Sequence, residues 1–358
     1  MLKNLRYILI PFSFIYGGII SLRNKLFDKN ILRSATFDFP LICVGNLAAG
    51  GTGKTPMVEY LVKMLQQKYK VATLSRGYKR KTKGFLIANE QTNAIDIGDE
   101  PMQIHQKFPE IVVAVAEERV MGIPQLLFEK PETEVIILDD AFQHRAVNAG
   151  LNILLTDYNR LYTKDFLLPA GNLRDIKSSS KRAGIIVVTK CKSDLNEKEK
   201  KSIIDELNPL PKQKVFFVKI KYEDPYHLFS KESFSLEKDL EVLLICGIAN
   251  PKNMEEVLKL KVSSVQMLRY KDHYDFHSDD VKKIKEHFSK IQSEKKIILT
   301  TEKDAARLLE FEKEFEQFPV YVLPMAHEFL FGEESKFEKN IFDFVNHFKR
   351  NLANKNGE

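Results

Sequence analysis

Residues 39–57 read FPLICVGNLAAGGTGKTPM, and this stretch decides the fold. The apolar run 39–44 has the composition of a buried strand, and residues 48–55 directly after it fit the phosphate-binding pattern A/G-x-x-x-x-G-K-S/T. Residues 57–67 then have the pattern of a helix. A glycine-rich turn between a strand and a helix directs several backbone N–H groups at one point. The order of these elements argues against a chance turn and predicts a nucleoside triphosphate site.

The residues of this glycine-rich loop are expected to contribute in two ways. Lys54 supplies a positive charge for the β- and γ-phosphates, and the Thr55 hydroxyl is placed to bind Mg²⁺. Contacts to the nucleotide are predicted for the whole loop, which consists of Ala48, Ala49, Gly50, Gly51, Thr52, Gly53, Lys54 and Thr55.

Length and composition set limits on the class of protein. A chain of 358 residues is long enough for two domains. The formal charge of +6 suggests an acidic partner such as phosphate or anionic lipid, but 55 basic against 49 acidic residues is too balanced for a dedicated nucleic-acid binder. The three cysteines lie in or beside apolar runs without metal-ligand spacing, which indicates core residues in a reducing compartment.

The N-terminal segment departs from the globular pattern. Residues 7–22 carry no charge and are flanked by basic residues on both sides. The segment is interrupted by Pro11 and Gly17-Gly18 and is shorter than the roughly 20 apolar residues that span a bilayer. The pattern favours a helix lying in the membrane interface. A helix packed on the protein's own core and a true membrane span are the alternatives.

Beyond this segment, short β-rich runs alternate with helical stretches, which predicts an α/β fold with a mostly parallel sheet of the P-loop NTPase type. A second, smaller set of strands and helices begins after a boundary near residue 225. The expected divisions are an N-terminal membrane-associated segment 1–35, a nucleotide-binding domain 36–225, a C-terminal α/β domain 226–350 and a disordered tail 351–358.

A second motif of a nucleotide site follows an apolar strand. The run Val135-Ile-Ile-Leu-Asp-Asp140 ends in two carboxylates, and Asp139 and Asp140 are predicted to serve Mg²⁺ at the carboxyl edge of the sheet. Without a glycine-rich loop upstream, the same residues would indicate only a turn. The polar residues that follow are candidate substrate contacts, namely Gln143, His144 and Arg145.

Two further candidates lie after other strands. Asp99 precedes a predicted helix, where it could cap the helix or accept the proton of an attacking hydroxyl, and the residues leave both readings open. Arg76 follows a strand at the position that faces the ligand crevice and is a candidate substrate contact. In the second half, His273 lies among carboxylates and would have to reach across the domain cleft to contribute.

Taken in order along the chain, these segments resemble the tetraacyldisaccharide 4′-kinase family of lipid A biosynthesis. The resemblance covers nearly the whole chain, and Gly98-Asp-Glu-Pro101 followed by Asp139-Asp-Ala-Phe-Gln-His144 is its most specific part. The other matching segments are Val44-Gly-Asn46, Gly50–Pro56, Ser75-Arg-Gly-Tyr78, Leu168-Pro-Ala-Gly171, Gly247-Ile248, Asp272-His273 and Thr301-Glu-Lys-Asp304.

The resemblance implies a monotopic inner-membrane enzyme whose active site faces the cytoplasm. It implies transfer of the γ-phosphoryl group of ATP, with Mg²⁺, to the 4′-hydroxyl of a tetraacyldisaccharide 1-phosphate, without an obligate protein partner. It further implies that Asp99 is the base with His273 beside it, and that Asp139 and Asp140 serve the metal. Asp175 stands where glutamate is usual and is placed near the metal, and Ala141 replaces the usual glycine.

A nucleotide-driven membrane switch is the rival function. Such ATPases usually carry a second lysine at the start of the loop, whereas Ala48-Ala49 precede Gly50 here. A GTPase would need an aspartate at the fourth position of its base-reading motif, and Thr189-Lys-Cys-Lys192 has lysine there.

Overall fold

The protein is built on two β-sheets, with helices on their faces. The computed structural model describes residues 6–248 and 251–355, apart from the side chains of Tyr7 and residues 349–355. Within these residues the strands are β1 (Ala35–Thr36), β2 (Leu41–Asn46), β3 (Val71–Ser75), β4 (Leu86–Ile87), β5 (Val112–Val115), β6 (Val135–Asp139), β7 (Val147–Asn148), β8 (Leu151–Asp157), β9 (Ile185–Thr189), β10 (Lys214–Tyr222), β11 (Tyr226–His227), β12 (Glu241–Cys246), β13 (Ser264–Arg269), β14 (Lys296–Thr301), β15 (Val320–Leu323) and β16 (Met325–Phe329).

The helices connect these strands and cover the sheets. In chain order the α-helices are α1 (Ile10–Asp28), α2 (Lys54–Leu65), α3 (Ala94–Ile97), α4 (Asp99–Lys107), α5 (Arg119–Glu129), α6 (Glu197–Leu207), α7 (Lys252–Lys259), α8 (Ser278–Ser289), α9 (Glu302–Leu308), α10 (Glu312–Phe315) and α11 (Glu334–Lys355).

The larger sheet has the order β16-β10-β9-β8-β2-β6-β3-β5-β4. Its seven inner strands are parallel, while β16 and β4 pair antiparallel at the edges. Strands β2, β3, β6 and β9 are buried along their whole length, as a parallel sheet covered on both faces requires. This arrangement confirms the predicted α/β fold with a mostly parallel sheet.

The smaller sheet has the order β11-β15-β14-β12-β13, with only β11 antiparallel. Its two faces bury separate apolar clusters, one including Phe276, Ile284 and Phe315 and the other including Met254 and Leu258. The second set of strands therefore forms a unit with its own core.

After β15 the chain returns to the larger sheet. The C-terminal unit is therefore shorter than the expected domain 226–350. Strand β16 pairs antiparallel with β10, so that Phe329 lies opposite Val218. The α11 side chains of Phe337, Ile341 and Val345 are buried in the core of the larger sheet. The smaller unit thus ends near Pro324, because the apolar residues beyond it find their partners on the first sheet.

The first part of the segment 351–358, expected to be a disordered tail, is helical in the structure. Helix α11 runs to Lys355, so residues 351–355 are helical, and residues 356–358 lie outside the described residues.

Helix α1 buries two polar residues and exposes several of its large apolar ones. Its buried residues are Ser13, Asn24 and Phe27. Six apolar residues of α1 and the turn before it are 59 to 77 % exposed, namely Ile8, Phe12, Phe14, Ile15, Ile19 and Leu22. The alternative of an apolar helix packed on the core is therefore wrong for most of these side chains. None of the helices among the described residues combines the length and hydropathy needed to cross a bilayer.

Candidate active site

The glycine-rich loop lies between the carboxyl end of β2 and the start of α2. Gly53 is the residue before the helix and has a φ of 82°, and Gly50 has a φ of 109°. A Cβ atom on Gly53 would also lie 2.9 Å from Nε2 of the buried His327 on β16. Both the backbone angle and the close neighbour therefore require glycine at position 53.

Hydrogen bonds hold this loop from two sides. On one side, Asn46 donates from Nδ2 to the Thr52 hydroxyl at 2.6 Å. On the other, the Thr189 hydroxyl donates to the Thr52 carbonyl at 2.8 Å, and the Lys190 ammonium donates to the Gly51 carbonyl. The loop is thus fixed by groups from β2 and from the end of β9.

The predicted carboxylate pair lies at the end of β6, the strand beside β2. Asp139 is paired in register with Val44 of β2 and is only 6 % exposed. Burial and, next, the neighbouring charge of Asp140 raise the pKa of Asp139 to about 7. Within the described part of the chain, its Oδ1 atom is buried without a hydrogen-bond partner. Such an oxygen requires either a proton or a ligand.

Asp140 instead contacts two cations. Lys54 Nζ lies 3.7 Å from its Oδ1, and Arg174 donates to both carboxylate oxygens at 2.8 and 3.2 Å. Burial favours a higher pKa for Asp140, but Lys54 and Arg174 outweigh it and hold this pKa below its ordinary value. Asp140 is therefore an ionised member of a charge network that includes the loop lysine.

Arg174 was not predicted as a site residue. Its segment runs beside the glycine-rich loop. Ala49 donates its N–H to the Asn172 carbonyl at 2.7 Å, and Arg174 donates its N–H to the Leu47 carbonyl at 2.7 Å. These backbone contacts carry the guanidinium to Asp140.

The residues present fit a magnesium ion that also binds phosphate. No group of three or more His, Cys, Asp or Glu side chains suited to a metal occurs among residues 6–248 and 251–355. Mg²⁺ in phosphoryl-transfer sites keeps several waters and is bound by one or two carboxylates and the substrate phosphates, so such a group is not required. The unpartnered oxygen of Asp139 and the half-buried Thr55 at the start of α2 supply suitable oxygen ligands.

Asp175, which was predicted to serve the metal, instead has both of its oxygens bound by protein groups. Its oxygens accept hydrogen bonds from Asn24 at 2.9 Å, Ser179 at 2.8 Å and Arg182 at 3.0 Å, and also from the N–H of Ile176. The residue is 2 % exposed. Asp175 therefore joins α1 to the segment that runs beside the glycine-rich loop.

Asp99 belongs to the unit of the larger sheet and His273 to the unit of the smaller sheet, and their side chains contact each other. Gly98 is the residue before α4, and no side chain among the described residues caps that helix, so Asp99 is not the cap that one interpretation of the sequence indicated. Its Oδ2 lies 2.6 Å from Nδ1 of His273. The ring of Tyr78 packs edge-on against the imidazole, with 5.4 Å between centroids.

Two cations from α9 complete this cluster, and sequence reasoning missed Arg307 entirely. Arg307 donates to both oxygens of Asp99, at 2.6 and 3.0 Å, and Lys303 lies 3.0 Å from Nε2 of His273. Burial favours a higher pKa for Asp99, but His273 and Arg307 outweigh it and lower this pKa. The imidazole tautomer that fits both contacts donates from Nδ1 and accepts at Nε2.

The predicted substrate contacts fall into different environments. Arg76 is exposed after β3, whereas Gln143 donates to the Asn46 carbonyl at 2.6 Å. His144 is half-buried, and burial followed by the charge of Arg119 lowers its pKa. Arg145 was predicted to contact substrate, but its guanidinium is bound to α1.

The contacts of Arg145 explain this difference. It donates to the Asn24 carbonyl at 2.8 Å and to Asp28 at 2.7 Å, and its guanidinium lies over the Phe27 ring. The side chain thus anchors the end of α1, a role that its place in the sequence did not reveal.

The fold and this site define a class of protein: an α/β enzyme that binds a phosphate-bearing ligand at the carboxyl edge of a mostly parallel sheet. Residues 5–346 match the family described as Tetraacyldisaccharide-1-P 4′-kinase (LpxK). The chain belongs to this family. The predicted kinase function in lipid A biosynthesis is confirmed.

Relatives of similar length carry the same name. The chain is 44 % identical over 360 residues to the Tetraacyldisaccharide 4′-kinase of Bacteroides thetaiotaomicron, covering 96 % of this chain and 94 % of that one. It is 46 % identical over 349 residues to the same enzyme of Flavobacterium johnsoniae, covering 97 % and 98 %. A crystal structure of LpxK from Aquifex aeolicus in complex with ATP superposes with a TM-score of 0.75 at 33 % identity, covering 95 % of this chain and 99 % of that one.

Proposed function

We propose that this enzyme transfers the γ-phosphoryl group of ATP to the 4′-hydroxyl of a tetraacyldisaccharide 1-phosphate at the cytoplasmic face of the inner membrane. The observation that carries the proposal is the position of the Asp99–His273 pair. Gly98, the residue before Asp99, approaches the segment after β3 so closely that a Cβ atom on it would lie 2.8 Å from the Tyr78 carbonyl oxygen. Strand β3 pairs with β6, which ends in Asp139 beside the glycine-rich loop. A group able to take a hydroxyl proton thus lies near a phosphate site.

In this proposal the glycine-rich loop is a P-loop that holds the triphosphate. Its backbone N–H groups and Lys54 bind the phosphates, and the contact of Lys54 with Asp140 orients the ammonium before ATP arrives. Thr55 and Asp139 would hold Mg²⁺, which neutralises phosphate charge when bound. Arg174 keeps Asp140 ionised and in place.

Transfer requires one new bond and one proton acceptor. The 4′-oxygen forms a bond to the γ-phosphorus as the bond from that phosphorus to the bridging oxygen of ADP breaks. The hydroxyl proton passes to the Asp99–His273 pair as a unit. Arg307 fixes the carboxylate, and Tyr78 and Lys303 border the imidazole.

We propose that the exposed apolar residues of α1 lie in the membrane interface, as an acylated acceptor requires. The side of the helix that carries Ser13, Tyr16 and Asn24 is fixed to the protein by hydrogen bonds to Leu167, Arg174 and Asp175. The exposed residues, including Phe14 and Ile15, then remain for the acyl boundary, while the exposed Lys25 can meet anionic headgroups.

The direct test is incubation with [γ-³²P]ATP, Mg²⁺ and a disaccharide 1-phosphate lipid in mixed micelles. We expect label in the lipid fraction, and none with Lys54→Ala or after chelation of Mg²⁺. Release of inorganic phosphate without labelled lipid would contradict the proposal and favour the membrane switch.

A further inference from the structure

Three charged side chains meet away from the two clusters described above, two of them buried glutamates and the third a half-buried lysine. Lys107 at the end of α4 lies 2.7 Å from Glu59 of α2 and 2.6 Å from Glu302 of α9. Glu59 and Glu302 are only 4 % and 5 % exposed. Gln103 donates to Glu59 at 2.6 Å, and the N–H of Met325 donates to Glu302 at 3.2 Å. We name these three residues, Glu59, Lys107 and Glu302, the buried triad.

The triad joins the three helices that carry the groups assigned to the reaction. Helix α2 begins with Lys54, and helix α4 begins with Asp99 and ends with Lys107. Helix α9 begins with Glu302 and carries Arg307. One half-buried lysine thus contacts the helix that follows the glycine-rich loop and a helix of the second unit.

Helix α4 is held at both ends by α9. At its first residue, Asp99 binds Arg307, and at its last residue, Lys107 binds Glu302. These contacts require the two helices to run antiparallel, with their paired ends in register. The third contact, from Lys107 to Glu59, ties the pair of helices to α2 and hence to the phosphate site.

The triad places one cation between two carboxylates. Burial and, next, Glu302 raise the pKa of Glu59 to about 7. Burial favours a lower pKa for Lys107, but the two glutamates outweigh it and raise this pKa above its ordinary value. Buried ion pairs add little net stability compared with apolar residues of the same volume, but they fix geometry because each charge needs its partner.

We propose that Lys107 is a positioning residue, which sets the distance between the glycine-rich loop and the Asp99–His273 pair through the buried triad. The proposal rests on the proposed function. Phosphoryl transfer depends mainly on the placement of the hydroxyl relative to the γ-phosphorus, and a displacement of about 1 Å can cost roughly 100-fold in rate. Lys107 acts on this placement without touching either substrate.

The first test is Lys107→Met, which keeps the length of the side chain and removes its charge. We expect kcat to fall about 10- to 100-fold, while the Kd for ATP changes less than about twofold because the glycine-rich loop is intact. Lys107→Arg keeps the charge and should recover part of kcat. The matched control is Lys282→Met, which breaks an exposed pair with Asp279 on α8 and should leave kcat unchanged.

A readout beyond loss of activity comes from combining Lys107→Met with Asp99→Asn. If Lys107 acts by placing Asp99, the double variant should be little slower than Asp99→Asn alone. Multiplicative losses would overturn the proposal, and so would wild-type kcat in Lys107→Met or an equal loss in ATP affinity.

A variant without buried charge keeps the proposal testable if Lys107→Met fails to fold. Glu59→Gln, Lys107→Met and Glu302→Gln together leave no unpaired ion in the core. We expect this triple variant to fold and to remain slow in kcat, and wild-type kcat would overturn the proposal. Failure of the proposed function is distinguishable, because the wild-type enzyme would then label no lipid.

Discussion

The glycine-rich loop and the Asp99 cluster are built in opposite ways. The loop is one contiguous segment, residues 48–55, held by neighbouring strands. The cluster joins Asp99 to His273, 174 positions away, and to Arg307, 208 positions away. The nucleotide site therefore depends on local chain geometry, and the acceptor side depends on how the second unit sits on the first. Substitutions in the glycine-rich loop should therefore weaken ATP binding as well as turnover, whereas substitutions in the Asp99 cluster should lower kcat alone.

The largest effect is expected from the local site. Lys54→Ala removes the loop cation proposed to bind the phosphates and releases Asp140 from one of its two cations. We expect kcat/KM to fall at least about 100-fold, as for loss of one transition-state donor, with weaker ATP binding. Steady-state kinetics and ATP titration measure both. The melting temperature should change little, and near-wild-type turnover at saturating Mg-ATP would reject the assignment.

Arg307→Met tests the cross-domain site from the second unit. Asp99 would lose two hydrogen bonds and its strongest cationic neighbour, so its carboxylate would be less well oriented. We expect kcat to fall roughly 10- to 100-fold, with the ATP Kd unchanged. A change in ATP binding as large as that in kcat would show that the two sites are not separate.

Helix α1 offers a further contrast, because its exposed apolar residues should affect membrane binding but not the stability of the fold. Replacing Phe14, Ile15 and Ile19 by serine should lower binding to anionic vesicles strongly, since each loses transfer energy of about 1.5–3 kcal/mol on burial. The melting temperature should stay within the error of the wild type, as these side chains are exposed. Unchanged vesicle sedimentation would move the membrane contact elsewhere.

The smallest effect is expected when a buried polar residue of α1 is replaced, and it should appear in stability. Asn24→Ala removes hydrogen bonds to Asp175 and Ser179 and should reduce the free energy of unfolding by about 1–3 kcal/mol. Chemical denaturation measures this change. Leu22→Ala on the exposed side is the matched control and should change stability much less.

The features that could be predicted from the sequence are the local ones, and those that could not depend on contacts between distant segments. Strand β2, the glycine-rich loop and Asp139-Asp140 were predictable because the pattern and the structure it specifies are local. The partners of Asp175 and Arg145 were not, because both bind α1, and nothing in their own segments indicates this. Arg307 lies in an ordinary short helix, and only the fold brings it to Asp99.

Strand β16 shows the same limit at the level of the fold. Residues 325–329 follow a proline and contain both His327 and Glu328, so the run lacked the apolar character of the other strands. Its place beside β10 comes from pairing across a connection that includes the whole smaller sheet. Helix α1 was predicted as a helix, but its orientation was not, because periodicity does not say which side meets the protein.

The central claim is that Asp99 and His273 form one functional unit across the two parts of the molecule. A double-mutant cycle of Asp99→Ala and His273→Ala, with kcat measured at saturating ATP and lipid acceptor, tests it most directly. We predict that each single variant loses most of its kcat, that the double variant is little worse than the poorer single one, and that ATP binding is unchanged. Fully multiplicative losses, or an intact kcat in Asp99→Ala, would contradict the claim.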